Sequence, residues 1–101
     1  MNLYVILRRN GWATGGDLQE AAARSTAEGE QMPEDIRWIR SYVLEETDGS
    51  VGTACIYQAS SPEAIREHAR RADLPVLEIV KVADTVIVRP DPVAATAGAG
   101  S

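Results

Sequence analysis

The chain is predicted to be an α+β protein, a ferredoxin-like βαββαβ sandwich with a four-stranded antiparallel sheet and two helices on one face. Three observations in the sequence predict this. Runs rich in Val, Ile, Leu and Tyr stand near both ends and in the middle. Helix-start signals fall near Asp17 and Ser61, and Asp48-Gly49 places a tight turn between the two middle runs.

The first strand runs from Leu3 to Arg9 and stops at Asn10-Gly11, a pair that tolerates positive φ. Trp12 to Gly16 reads as a loop. Asp17 is the expected N-cap of the first helix, with Glu20 reaching back as in a capping box. Leu18, Ala21, Ala22 and Ser25 share the inward stripe of that helix. So small a face predicts close packing on the sheet; the alternative is room for a ligand.

Gly29 to Pro33 ends the helix, and Ile36 to Leu44 forms strand two, with Ile36, Trp38 and Tyr42 on one parity. Strand three, about Gly52 to Gln58, alternates Thr53, Cys55 and Tyr57 with Ala54, Ile56 and Gln58. Ser61 caps the second helix and Pro62 fits its first turn, where a missing N–H costs nothing. That helix runs to about Ala72. Strand four lies within Leu77 to Val88, with a bend or bulge near Ala83-Asp84. Residues 1–89 thus form one domain, and 90–101, rich in Pro, Ala, Gly and Thr, are expected to be a disordered tail.

Right-handed crossovers put both helices on one face of the sheet and leave the other bare. Yet Leu3, Val5 and Leu7 are as apolar as Tyr4 and Ile6, and Val80 and Val82 match Ile79 and Ala83. A bare apolar face of that extent predicts a homodimer packed sheet to sheet, a dimeric α/β barrel.

Composition narrows the partners. The 101 residues carry a formal charge of −5, which argues against nucleic acid, since neutralising phosphates needs clustered Lys and Arg. No run is long enough for a bilayer span, so no membrane partner is expected and the expected location is cytoplasmic. Cys55 is the single cysteine, which excludes an intrachain disulfide. Paired histidines, HExxH, CxxC, GxGxxG and a Walker loop are missing from the sequence.

The residues left to carry chemistry are few. His68, the one histidine, sits on the flank of the buried stripe set by Ile65, Ala69 and Ala72. It reads either as a ligand or base, or as a histidine bonded to a neighbouring carbonyl or carboxylate. Cys55 and Tyr57 share a parity, so both face one cavity if that face lies under the helices. Cys55 otherwise reads as a small buried hydrophobe. Trp38 fills core or interface, or walls a ligand site, and Trp12 either lids a pocket or staples the start of helix one. The candidate ligand-binding set is therefore Trp38, Cys55, Tyr57 and His68, with no catalytic residue assigned.

Arg37-Trp38-Ile39-Arg40-Ser41-Tyr42, Cys55-Ile56-Tyr57, the helix from Ser61 to Ala72 and Leu74-Pro75 together cover about half the chain. In these blocks the sequence resembles a bacterial domain-of-unknown-function family of small ferredoxin-like proteins that includes nickel-responsive, nickel-binding members. The resemblance implies a dimeric α/β barrel and, at most, nickel binding, with His68 carried over as the metal ligand. Two functions follow as expectations. One is a small dimeric protein that binds a ligand or a divalent metal such as nickel. The other, by analogy of fold, is a cofactor-free isomerase, cyclase or monooxygenase acting on a small, often aromatic molecule.

Overall fold

In the computed structural model, residues 1–75 and 78–92 are described. The elements follow in the order β1 (Asn2–Trp12), α1 (Gly15–Gly29), β2 (Ile36–Glu45), β3 (Val51–Ala59), α2 (Pro62–Ala72) and β4 (Glu78–Lys81). They form a four-stranded sheet in the order β2-β3-β1-β4, with every pairing antiparallel. This is the ferredoxin-like arrangement. Tyr4, Ile6, Cys55, Tyr57 and Ala59 point to the helix side, where they pack with Met32, Ile36 and Ile65 as the core. Among the described residues no helix is long and apolar enough to cross a membrane.

Several elements differ from expectation for local reasons. β1 does not end at Asn10-Gly11. Asn10 takes a φ of 53°, the pairing with β3 shifts between Arg8 and Trp12, and the strand resumes opposite Val51. The turn signal marks a bulge. Its anchor is Glu46, which accepts from the Asn10 amide at 2.8 Å and from the Arg9 guanidinium at 2.8 Å. Those bonds hold the Glu46 carboxyl below its ordinary range, the Arg9 bond contributing most. Gly52 lies against the same bulge: a Cβ there would come within 2.5 Å of the Arg8 carbonyl oxygen and of Glu46 Oε2. Only glycine fits that approach.

The cap of α1 is Thr14 rather than Asp17; Thr14 Oγ1 accepts from the Asp17 amide at 3.1 Å. Asp17 instead lies in the first turn, where its charge suits the helix dipole. α2 starts as expected, with Ser61 Oγ accepting from the Ala64 amide at 3.1 Å, and ends on Asp73 in the left-handed region. In β2 a register shift between Trp38 and Arg40 makes Ile39 an extra residue. Trp38 therefore pairs with Tyr57 on the helix side, while Tyr42 pairs with Ala54 on the other. Their shared parity in the sequence does not survive the bulge.

β4 is shorter than the apolar run that suggested it. The amide of Val82 donates to the Leu3 carbonyl at 2.9 Å, and beyond it the chain leaves the sheet. Residues Val82 to Asp91 then cross the face opposite the helices, above a cleft of about 790 Å³ whose sheet side includes Leu3, Val5, Tyr42 and Ile56. Asp91 closes this crossing, accepting from Arg40 Nη1 and from the Tyr42 hydroxyl, both at 2.7 Å. The face expected to be bare is thus partly spanned by the chain's own segment. Val86, Ile87 and Val88 on that segment are 85%, 78% and 82% exposed. Of the tail expected to be disordered, residues 93–101 lie outside the described residues.

Candidate functional site

The helix-side residues stand in rows across the sheet, because partners paired across antiparallel strands share a face. Arg8, Thr53 and Val43 make one row, Ile6, Cys55 and Ser41 the next, and Tyr4, Tyr57 and Trp38 the third. α1 lies over these rows with its small stripe. Ala21, Ala22 and Ser25 do not fill the space, and a cavity of about 240 Å³ remains between helix and sheet. The expectation of close packing is corrected here. Side chains that short, on a helix set apart by the large rows beneath it, leave a void.

Trp38 and Tyr57 form one wall, stacked with ring centroids 6.2 Å apart and an interplanar angle of 17°. Trp38 Nε1 donates to Ser41 Oγ at 2.7 Å, and Ser41 Oγ donates to Cys55 Sγ at 3.0 Å. Arg8 reaches the same sulfur from the other side. Its Nη1 lies 3.3 Å from Cys55 Sγ, and its Nε donates to the Pro75 carbonyl at 2.7 Å. The Tyr57 hydroxyl and Ser25 Oγ share a hydrogen bond of 3.1 Å. Burial, above all, raises the Tyr57 phenol above its ordinary range. Trp12 and Leu74 complete the lining, so Trp12 walls the cavity from the end of β1.

His68 is nearby but apart. It is 1% exposed, its ring centroid is 5.6 Å from that of Tyr57, and its Nε2 lies 2.9 Å from the Ser25 carbonyl oxygen. A carbonyl only accepts, so Nε2 carries the proton and Nδ1 is left as a buried lone pair with no partner among the described residues. Burial foremost, and then the Arg8 charge, hold the imidazole below its ordinary range against the opposing pull of the Ser25 bond and Glu28. His68 lines a neighbouring cleft of about 370 Å³ with Ser25, Gly29 and Trp38. The structure therefore brings Trp38, Cys55 and Tyr57 to one cavity, with His68 behind Tyr57. Sequence reasoning missed Arg8 and Thr53. The signal was present, since Arg8 continues the inward parity of Tyr4 and Ile6.

Residues 4–82 match the family described as "Nickel responsive protein SCO4226-like". The chain belongs to this family. Among solved structures it is similar to SCO4226 from Streptomyces coelicolor A3(2), with 19% identity and a TM-score of 0.65, covering 83% of this chain and 99% of that one. Rv0793 from Mycobacterium tuberculosis is a more distant likeness, with 16% identity and a TM-score of 0.40, covering 88% of this chain and 100% of that one. No curated protein matches. The likeness to SCO4226 supports the ferredoxin-like fold.

The family description raises nickel, and the donor atoms test it. Among the described residues no three His, Cys, Asp or Glu side chains converge. Cys55 Sγ already faces the Arg8 guanidinium, whose charge repels a divalent cation at that sulfur. The Nδ1 lone pair of His68 is sealed from solvent. Ni(II) in nitrogen and oxygen sites favours several donors, so the described residues of a single chain do not fit a nickel site.

Proposed function

We propose that this protein is a small-molecule binding module that works as a homodimer, with the ligand held between α1 and the sheet against Trp38, Cys55 and Tyr57. One observation carries the reading: a cavity of about 240 Å³ beside a stacked aromatic pair, in a domain otherwise small enough to fill its core. Trp38 is 41% exposed and Val43 61%, so the β2 side gives entry. Binding is favoured over catalysis. Burial keeps Tyr57 protonated and His68 neutral, and the proton of His68 is committed to a carbonyl, so neither group is poised as an acid or base toward the cavity.

The dimer rests on the apolar face opposite the helices, where Ile39, Tyr42 and Val80 are 49%, 45% and 45% exposed beside the exposed Val86 to Val88 run. The protein is read as cytoplasmic because its single cysteine, Cys55, gives no sign of an oxidising compartment. Nickel is the second reading, favoured by the family description. It requires donors from beyond one chain.

Two measurements separate these readings. Benzyl alcohol titrated into ¹⁵N-labelled protein is expected to shift the amides of Ala22, Thr53 and Cys55, and Ala22→Phe is expected to abolish the shifts by filling the cavity. Unshifted amides at millimolar probe remove the pocket reading. Calorimetry with Ni(II) is expected to give equal heats for the wild type and His68→Ala. A heat lost only in His68→Ala establishes the metal reading instead.

A further inference from the structure

We infer that the cavity between α1 and the sheet receives a small uncharged aromatic molecule without hydrogen-bonding groups, a single-ring hydrocarbon of the size of toluene. The inference rests on the pocket reading above and names its ligand class. Its ground is the surface that the cavity presents, which among the described residues is almost wholly apolar. Polar residues do line it, but they are turned on one another. The Tyr57 hydroxyl and Ser25 Oγ share a bond of 3.1 Å, and Trp38 Nε1 donates to Ser41 Oγ at 2.7 Å. The Ser41 hydroxyl in turn donates to Cys55 Sγ at 3.0 Å, and Arg8 Nη1 meets the same sulfur at 3.3 Å. Arg8 Nε is taken up by the Pro75 carbonyl, while Arg8 Nη2 and Thr53 Oγ1 are buried and offer the cavity no surface. Gln19 reaches the lining from the exposed side of α1, where its amide is open to water. What faces inward is ring and hydrocarbon.

A ligand group that needs a hydrogen bond would give up water on entry and find no partner in exchange, so each such group weakens binding. Apolar cavities of this kind stay dry and take apolar guests. A carboxylate is disfavoured twice, because no free donor faces the cavity and the chain's charge of −5 adds no attraction for an anion. Shape narrows the class further. Trp38 and Tyr57 stack at 6.2 Å with planes 17° apart, and Leu18 and Ala22 of α1 lie across from them, a slot that suits a flat ring. A rigid ring also enters without the loss of rotamer freedom that an alkyl chain of equal volume would suffer. A cavity of about 240 Å³ falls below the roughly 300–1,000 Å³ of sites for drug-sized molecules and admits a single ring.

The experiment titrates toluene, benzyl alcohol and benzoate into ¹⁵N-labelled protein at pH 7 and follows the amides of Ala22, Thr53 and Cys55. Toluene is expected to bind at least about tenfold more tightly than the alcohol, within the range set by a hydroxyl that leaves water for a site without a partner. Benzoate is expected to leave these amides unmoved at the concentration at which toluene saturates them. A smaller gap between toluene and the alcohol, or benzoate that displaces toluene, overturns the hydrocarbon inference while the pocket reading stands. If none of the probes shifts a cavity amide, both fall. Location is read from nuclear Overhauser contacts of toluene with the Leu18 methyls and the Trp38 ring, and from Ala22→Phe, which is expected to abolish toluene binding. A folded Ala22→Phe that still binds toluene overturns the inference. Should that variant fail to fold, the wild-type contacts decide alone: toluene that touches neither Leu18 nor Trp38 overturns it as well.

Discussion

His68 Nε2 lies 2.9 Å from the carbonyl oxygen of Ser25, a bond that ties α2 to α1 and fixes the imidazole as its neutral Nε2–H tautomer. Burial and the nearby Arg8 charge favour that neutral form, so the folded-state pKa lies below the ordinary 6.5. Where the unfolded chain takes up a proton that the folded chain refuses, stability falls as pH falls. His68 therefore contributes its full stability above about pH 6.5 and loses it as pH drops below that value. His68→Gln, which keeps an N–H near the Ser25 carbonyl but does not titrate, is expected to flatten this slope. Thermal unfolding of both proteins at pH 7.5 and 5.5 checks it, and parallel slopes refute it.

Gly52 is a second point at which one atom decides the outcome. A methyl there meets the Arg8 carbonyl, which is backbone inside a paired strand and has no room to yield. Gly52→Ala is expected to destabilise the fold by about 2 kcal/mol, in the range of overpacked sites. Gly49, with a φ of 88° and open space around it, has only backbone strain to lose, so Gly49→Ala is expected to cost about 1 kcal/mol. Urea unfolding gives both midpoints. A larger loss at Gly49 than at Gly52 would show that the bulge relaxes.

Most of the fold was legible because its signals are local. The Ser61-Pro62 start, the Asp48-Gly49 hairpin and the alternation of Thr53, Cys55 and Tyr57 each fix an element without help from elsewhere. What was misread depended on distant partners. Asn10-Gly11 looks like an end until Glu46 is seen holding the bulge, and the parity of Trp38 and Tyr42 breaks at a bulge that no residue type announces. β4 looked long because its apolar residues continue through Val88, yet beyond Val82 they pair with no strand among the described residues. At the site, the shared parity of Cys55 and Tyr57 put both on one face without saying which, and the structure shows that face under the helices, while Arg8 escaped notice because an arginine in an inward row contradicts the usual polarity.

The apolar face bears directly on assembly. Val80 pairs with Val5 at the centre of the β1–β4 ladder and is 45% exposed on the side away from the helices. If two copies meet there, a charge at Val80 is buried without a partner in the dimer and costs little in the separated chain. Light scattering is expected to give twice 10.9 kDa for the wild type and 10.9 kDa for Val80→Glu, with unchanged circular dichroism. A wild type that is monomeric at micromolar concentration defeats the assembly.

Ser25 serves two partners at once, its carbonyl accepting from His68 and its hydroxyl bonding Tyr57 at 3.1 Å. Only the second contact involves its side chain, so Ser25→Ala tests the Tyr57 bond and leaves the tie to α2 intact. Removing either hydroxyl strands the other in a buried setting, and each single change, Ser25→Ala or Tyr57→Phe, is expected to cost about 1 kcal/mol. The double variant strands nothing. It is therefore expected to cost clearly less than the sum, with a coupling near 1 kcal/mol by double-mutant cycle. Additive losses would mean that water already serves both hydroxyls, and that the wall of the cavity behind Tyr57 is wet. In that case the aromatic pair would stand on packing alone, and Trp38 emission would be the same in Tyr57→Phe as in the wild type.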